Sequence, residues 1–384
     1  MPRFAAIEGL RAWLAWAVVF SHLAQTLGME TLGGHWKLIE QGGEVAVYTF
    51  IVISGFVITG LIIDKQESYP RYILRRAFRI FPAYWIAWGF ALLVLPLAIA
   101  ALSHQPWMSA PAQTYDDLLR GWDKAMRDHT DAEYALHATL LQGVVPDSVW
   151  PLANNAVLGP AWSLTLEWQF YLIAPLLIWL LRGRWTRLPL VLLIGLGAYG
   201  AEEQWFGTFN LPTFFPLAAY VFLVGIASRL AFNDLKRAPL APLFVVGALI
   251  VGVAHRELLW LAIWAATLAF LLHGAKWRGA IAAVMRAMLE SAPARYFGAR
   301  SYSVYLLHLP TMQLATWFVA TRLAPDQMHT FLYVTAATIP ATLIFSDVLY
   351  RVVEHPMIGL GARLARGGAR DAAPLSVIPD SAQR

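Results

Sequence analysis

Five ionisable side chains fall inside long apolar runs of this sequence. They are Arg11 and His22 in the first run, Glu167 in the fourth, His308 in the ninth and Asp347 in the tenth. Ser54 lies in the second run. A charge at membrane depth is expensive and marks a functional site or a buried partner. Arg11 and His22 are eleven residues apart. That is three helical turns plus about 20°, so both face the same way, about 16 Å apart along the axis. Counting rise per residue from the cytoplasmic edge of each run puts His22 and Glu167 both about 22 Å deep. On the same count Ser54 and Tyr171 lie near ~15 Å, His308 near ~12 Å and Arg11 near ~6 Å.

The resulting column has a guanidinium at the cytoplasmic mouth, hydroxyls and one imidazole halfway, and an imidazole with a carboxylate in the outer half. An imidazole oriented by a carboxylate is suited to taking a proton from an alcohol. An arginine at the mouth suits an anionic group arriving from the cytosol. Each residue also has a purely structural reading. A single His or Glu often makes a helix–helix hydrogen bond, Arg11 can snorkel to the inner headgroups, and Asp347 reads most simply as a structural partner near the cytoplasmic end.

A second cluster precedes the third run: Arg71, Arg75, Arg76 and Arg79, followed by Pro82. It fits a topology signal or a seat for anionic lipid. It equally fits bidentate binding of a phosphorylated donor.

The elements that must position these groups are spans. Hydrophobic residues make up 58% and charged ones 14% of 384 residues, against about 25% charged in a soluble domain. Mean hydropathy is +0.54. A bilayer core needs about 20 mainly apolar residues per helix. Ten segments qualify: 6–27, 44–64, 80–103, 158–181, 188–203, 213–232, 238–254, 257–274, 301–320 and 329–350. The expected fold is therefore an all-α polytopic bundle of about ten transmembrane helices.

Alternating these segments from a cytoplasmic N-terminus puts 22 Lys and Arg inside and 6 outside, with Arg11 within a span. That is the positive-inside pattern. It explains the basic excess by orientation and gives no nucleic-acid face. Both termini are then cytoplasmic, and no cleavable leader is expected. Residues 1–356 form the transmembrane domain, with one large outer loop at about 104–157. That loop carries Asp116, Asp117, Asp123, Asp128, Asp131 and Glu133, with Trp107, Trp122 and Trp150. The tryptophans suit interfacial anchoring or stacking on sugar rings. Residues 280–299 read as a cytoplasmic surface helix, and 357–384 as a disordered cytoplasmic tail. The sequence has no cysteine, which removes disulfides and thiolate metal sites. It also has no HExxH motif, P-loop or dinucleotide glycine fingerprint, and no His is followed by Asp five residues on. No metal is expected.

In order along the chain, the motifs resemble the integral-membrane acyltransferase family 3. Gly9-Leu10-Arg11 running to His22 is similar to the family's opening span, and Ser54-Gly55-Phe56 to its Ser-Gly-Phe motif. Arg76 and Arg79 before Pro82 fit its Arg-x-x-Arg. Trp162-Ser163-Leu164, Glu167 and Phe170-Tyr171 resemble its fourth span. Tyr302-Ser303, Tyr305 and His308 resemble its late motif, and Glu354-His355-Pro356 its closing one. The segment Gly43-Glu44-Val45 departs from the family, which more often has a second Gly there. No Gly-Asp-Ser signature of an appended esterase-like domain is present, so the stand-alone form is expected.

The resemblance implies an enzyme of a bacterial-type inner membrane. It would move an acyl group, acetyl foremost, from cytosolic acyl-CoA to a hydroxyl of an envelope carbohydrate or glycolipid. Arg11, Arg76 and Arg79 would hold the CoA, and His22 would be general base with Glu167 orienting it or stabilising its charged form. Ser54, Tyr171, Tyr305 and His308 would line the acyl passage. Direct transfer and a Ser54 adduct both stay open, as does a small-molecule acceptor such as a macrolide. The competing readings are a transporter or flippase, for which the sequence shows no internal repeat, and a passive scaffold, which has no use for His22 and Glu167.

Overall fold

The computed structural model describes residues 4–29, 33–102, 104, 121, 124, 130–237, 246–247, 250, 258–323 and 326–367. Among these there is no strand. Helices form where the apolar runs lie. They are α1 (Ala5–Thr26), α2 (His35–Lys65), α3 (Tyr69–Leu102), α4 (Thr130–Thr139), α5 (Ala161–Arg182), α6 (Arg187–Glu202) and α7 (Phe215–Leu230). After the short α8 (Phe232–Arg237) come α9 (Leu259–His273), α10 (Ala280–Glu290), α11 (Ala292–Ala299), α12 (Ser301–Arg322) and α13 (Gln327–Leu349). One π-helical turn, Tyr350–Glu354, leads into α14 (His355–Gly367).

Five described helical stretches are long and apolar enough to cross a bilayer: α2, α3, α5, Leu259–Lys276 and Gln327–Arg366. Leu93, Trp179, Leu192 and Ile344 turn outward, 77, 67, 64 and 60% exposed. A surface this rich in large apolar groups is lipid-facing rather than water-facing, and the chain is a multi-pass membrane protein. The expected ten spans are not reached by these criteria, for identifiable reasons. Helices α1 and α12 are long but diluted by polar side chains, α6 and α7 are 16 residues each, and most of the run 238–254 lies outside the described residues.

The interior is built around α1, α2 and α12. Every residue of α12 from Ser301 to Gln313 is buried, the signature of a helix surrounded on all sides. Helices α2 and α7 approach closely through glycines. A Cβ on Gly225 would strike the Val52 carbonyl, and one on Gly55 the Phe222 carbonyl. Small residues at membrane interfaces permit this backbone contact.

Three expectations change. Residues 357–367, expected within a disordered tail, continue as α14. Gly361 rests on Phe78 of α3 and Ala365 is 3% exposed. Composition suggested disorder, but the small residues four apart make the flat face that lets α14 lie on α3. Residues 280–299 form two helices rather than one, broken where the Ser291 hydroxyl accepts from the Ala294 N–H (3.4 Å). In the segment expected as the outer loop, Glu133 is fully buried beside His137 (3.3 Å), whose ring stacks on Trp88. Trp107, Trp122, Asp116, Asp117, Asp123 and Asp128 lie outside the described residues, as do 368–384.

Candidate active site

Glu167 and Tyr171 stand one turn apart on α5, so both side chains face the same neighbours. The Ser54 hydroxyl donates to Glu167 Oε1 (3.0 Å), and the Tyr171 hydroxyl donates to the same oxygen (2.5 Å). Three guanidinium groups surround this carboxylate. Arg76 lies over the Tyr171 ring, 5.7 Å from its centroid, and Arg79 over the Tyr302 ring at 5.3 Å. Arg11 completes the wall of a cavity of about 140 Å³, which Ser54, Arg76, Arg79, Glu167 and Tyr171 also line.

The two arginines of the Arg-x-x-Arg motif are not equivalent. Arg79 is ion-paired with Glu354, a residue 1% exposed whose second oxygen accepts from Ser303 (2.6 Å). Glu354 ends the π-helical turn, a feature frequent at functional sites. Arg76 makes no ion pair among the described residues, and its Nε is buried without a hydrogen-bond partner. Arg11 likewise makes no ion pair among them. With Arg79 neutralised, two cations face one carboxylate, which leaves this cavity able to attract an anion.

A second cavity, of about 460 Å³, is lined by His22, Gln25, Glu44, Tyr48, Asn155, Trp162 and Asn210. Here His22 Nδ1 meets His308 Nε2 at 3.2 Å, with the rings 22° from parallel and their centroids 5.1 Å apart. His308 Nδ1 in turn lies 3.2 Å from the Val304 carbonyl. Tyr305 lines both cavities. Its hydroxyl donates to the Pro160 carbonyl (3.0 Å) and bonds the Ser163 hydroxyl (2.7 Å), so the ring is held as a partition.

The structure therefore brings Arg11, Arg76, Arg79, Ser54, Glu167 and Tyr171 together, and separately joins His22 to His308, with Tyr305 between the groups. It does not build the expected pairing of His22 with Glu167. Glu167 is held by Ser54 and Tyr171, and His22 by His308. The depth count failed because it started every span at a membrane face. Ser301, the first residue of α12, is 1% exposed and lines the arginine-walled cavity. That helix starts inside the protein, so His308 sits deeper than its distance from Ser301 implies and reaches the level of His22. Asp347 is the structural partner anticipated for it, bound by Arg300 (2.5 Å), Arg351 (2.7 Å) and Tyr296 (2.9 Å).

Sequence reasoning missed the buried partnership of Glu354 with Arg79. A carboxylate just past an apolar run, with arginines elsewhere needing a counter-charge, was the available signal. It also missed Glu44, Tyr48, Asn155 and Asn210, whose convergence depends on tertiary packing alone.

Comparison with known proteins bears on these cavities. A family model described as an acyltransferase domain matches residues 4–351. The peptidoglycan O-acetyltransferase OatA of Listeria monocytogenes is 26% identical over 389 residues, covering 92% of this chain and 55% of that protein. The acyltransferase MdmB of Streptomyces mycarofaciens is 27% identical over 176 residues, covering 45% of this chain and 39% of that protein. The chain thus spans about half the length, or less, of these curated relatives. No solved structure matches.

Proposed function

The chain belongs to the acyltransferase domain family, and from that premise we propose that it transfers an acyl group from cytosolic acyl-CoA to a hydroxyl on the outer side of a bacterial-type inner membrane. The acceptor is an envelope carbohydrate or glycolipid, and the acyl group is acetyl. The observation that carries this reading is the pair of cavities of opposite chemistry that adjoin at Val47 and Tyr305. Ten spans with both termini cytoplasmic orient the arginine cavity inward and the histidine cavity outward, in keeping with the positive-inside distribution.

In this reading Arg76 and Arg11 hold the phosphates of CoA, and Arg79 is the fixed floor beneath them. A cavity of about 140 Å³ compares with the ~150 Å³ that admits one benzene elsewhere. It suits a short acyl group better than a long chain. Glu167, Ser54 and Tyr171 shape the passage and balance the arginines. On the far side, the acceptor hydroxyl gives its proton to His22 as its oxygen attacks the thioester carbonyl. The carbon–sulfur bond breaks, and CoA leaves as the thiolate and takes up a proton. Holding both reactants in line supplies much of the rate, and the base supplies about 10²–10⁴-fold more. OatA is by its name a peptidoglycan acetyltransferase, which makes a glycan the first acceptor to test.

The test is purified protein in nanodiscs with radiolabelled acetyl-CoA and envelope glycans, alongside mass spectrometry of glycans from cells with and without the gene. An acetyl increment that depends on the gene is expected. Full acetylation in its absence, with no transfer in vitro, would overturn the reading.

A further inference from the structure

We propose that His308 is the positioning residue that fixes His22 in the one neutral tautomer able to act as a base toward the outer cavity. The argument follows from which atoms can carry hydrogen. A backbone carbonyl only accepts, so the His308 Nδ1 that meets the Val304 carbonyl at 3.2 Å carries the proton. A neutral imidazole has one N–H, so His308 Nε2 is a bare lone pair. The atom facing it at 3.2 Å is His22 Nδ1, which must therefore supply the hydrogen. His22 Nε2 is then left as a lone pair. It makes no hydrogen bond among the described residues, and its ring lines the outer cavity.

The chain of donors then runs from α1 through α12 to a main-chain oxygen, in one direction. Free neutral imidazole favours the opposite tautomer, with hydrogen on Nε2, which has no lone pair to offer there. An orienting residue is thus required, and the structure supplies an imidazole where acyl-transfer triads use a carboxylate. A neutral partner suits this site. The pair is uncharged in apolar surroundings until the acceptor proton arrives at His22 Nε2. The cation then formed keeps its Nδ1–H directed at the His308 lone pair. Atoms balance: one proton moves from the acceptor hydroxyl to His22 and leaves with the thiolate.

This inference rests on His22 being the base, and its test separates the two. Protein with ¹⁵N-labelled histidine in nanodiscs reports tautomers directly, without any variant and without activity. His22 is expected as the Nδ1–H form in the wild type, and as largely the Nε2–H form in His308→Leu. Kinetically, His308→Leu should lower kcat by about 10²–10⁴-fold, the scale of a misdirected tautomer, with KM for acetyl-CoA unchanged. His308→Gln, whose amide oxygen can still accept from His22 Nδ1, should recover kcat to within about tenfold of wild type. A wild-type His22 with hydrogen on Nε2 overturns the proposal. So does equal impairment by Gln and Leu, or full activity of His308→Leu. An absence of any acyl transfer by the wild type would instead remove the functional reading and leave the tautomer assignment standing or falling on the spectra.

Discussion

The two cavities meet at Val47 and Tyr305 yet share almost no chemistry. The inner one is small, about 140 Å³, and is walled by guanidinium groups stacked over tyrosines around one carboxylate. The outer one is larger, about 460 Å³, and offers an imidazole, amides, a carboxylate and Trp162. Paired positive charge recognises an anion and is indifferent to sugar stereochemistry. Amides, an imidazole and a carboxylate beside an aromatic face recognise a polyhydroxylated molecule and gain nothing from phosphate. On the proposed reading, the difference would keep donor and acceptor recognition apart and join them only at the reacting atoms.

The sharpest way to break this division is to remove the base. His22→Ala should lower acyl transfer by roughly 10²–10⁴-fold while leaving acetyl-CoA affinity intact, as measured by calorimetry on purified protein. Weakened donor binding in that variant would mean that His22 belongs to the inner site after all.

Within the inner cavity, the next largest effects should split the arginine motif. Glu354→Ala strands a partly buried Arg79, and removing one partner of a fully buried pair costs about 3–5 kcal/mol, an upper bound here. Tm in detergent should fall markedly, and Arg79→Ala should do the same. Arg76→Ala removes an unpaired cation, so Tm should hold while KM for acetyl-CoA rises about tenfold or more, the worth of a charged hydrogen bond. A variant of Arg76 that melts early while binding donor normally would assign Arg76 to structure.

How much of this was legible depended on whether the cause was local. The span 6–27 coincides with Ala5–Thr26 and 329–350 nearly with Gln327–Leu349, because apolar length is written into consecutive residues. The polar groups gathered in the interior were also visible, since Arg11, His22, Glu167 and His308 are each anomalous in an apolar run. Their partners were not. Whether His22 meets Glu167 or His308 depends on which helices are neighbours and where each begins in the bilayer. Ser301 starts α12 inside the protein, and no local pattern announces that. Likewise Gly361 and Ala365 read as tail composition until α3 supplies the surface they fit.

The smallest expected effect probes the outer cavity at its rim. Asn210 is exposed there, and its backbone N–H already satisfies Asp147 Oδ2 at 2.8 Å. Asn210→Ala therefore removes only the side-chain amide and keeps the loop anchored through that backbone bond. Loss of one neutral hydrogen bond is worth about 0.5–1.5 kcal/mol, so KM for a glycan acceptor should rise a few-fold, with kcat and KM for acetyl-CoA unchanged. Steady-state kinetics with both substrates varied reads the two constants separately. Were the donor constant to move instead, Tyr305 would not be the boundary between two recognitions, and the cavities would have to be treated as one site.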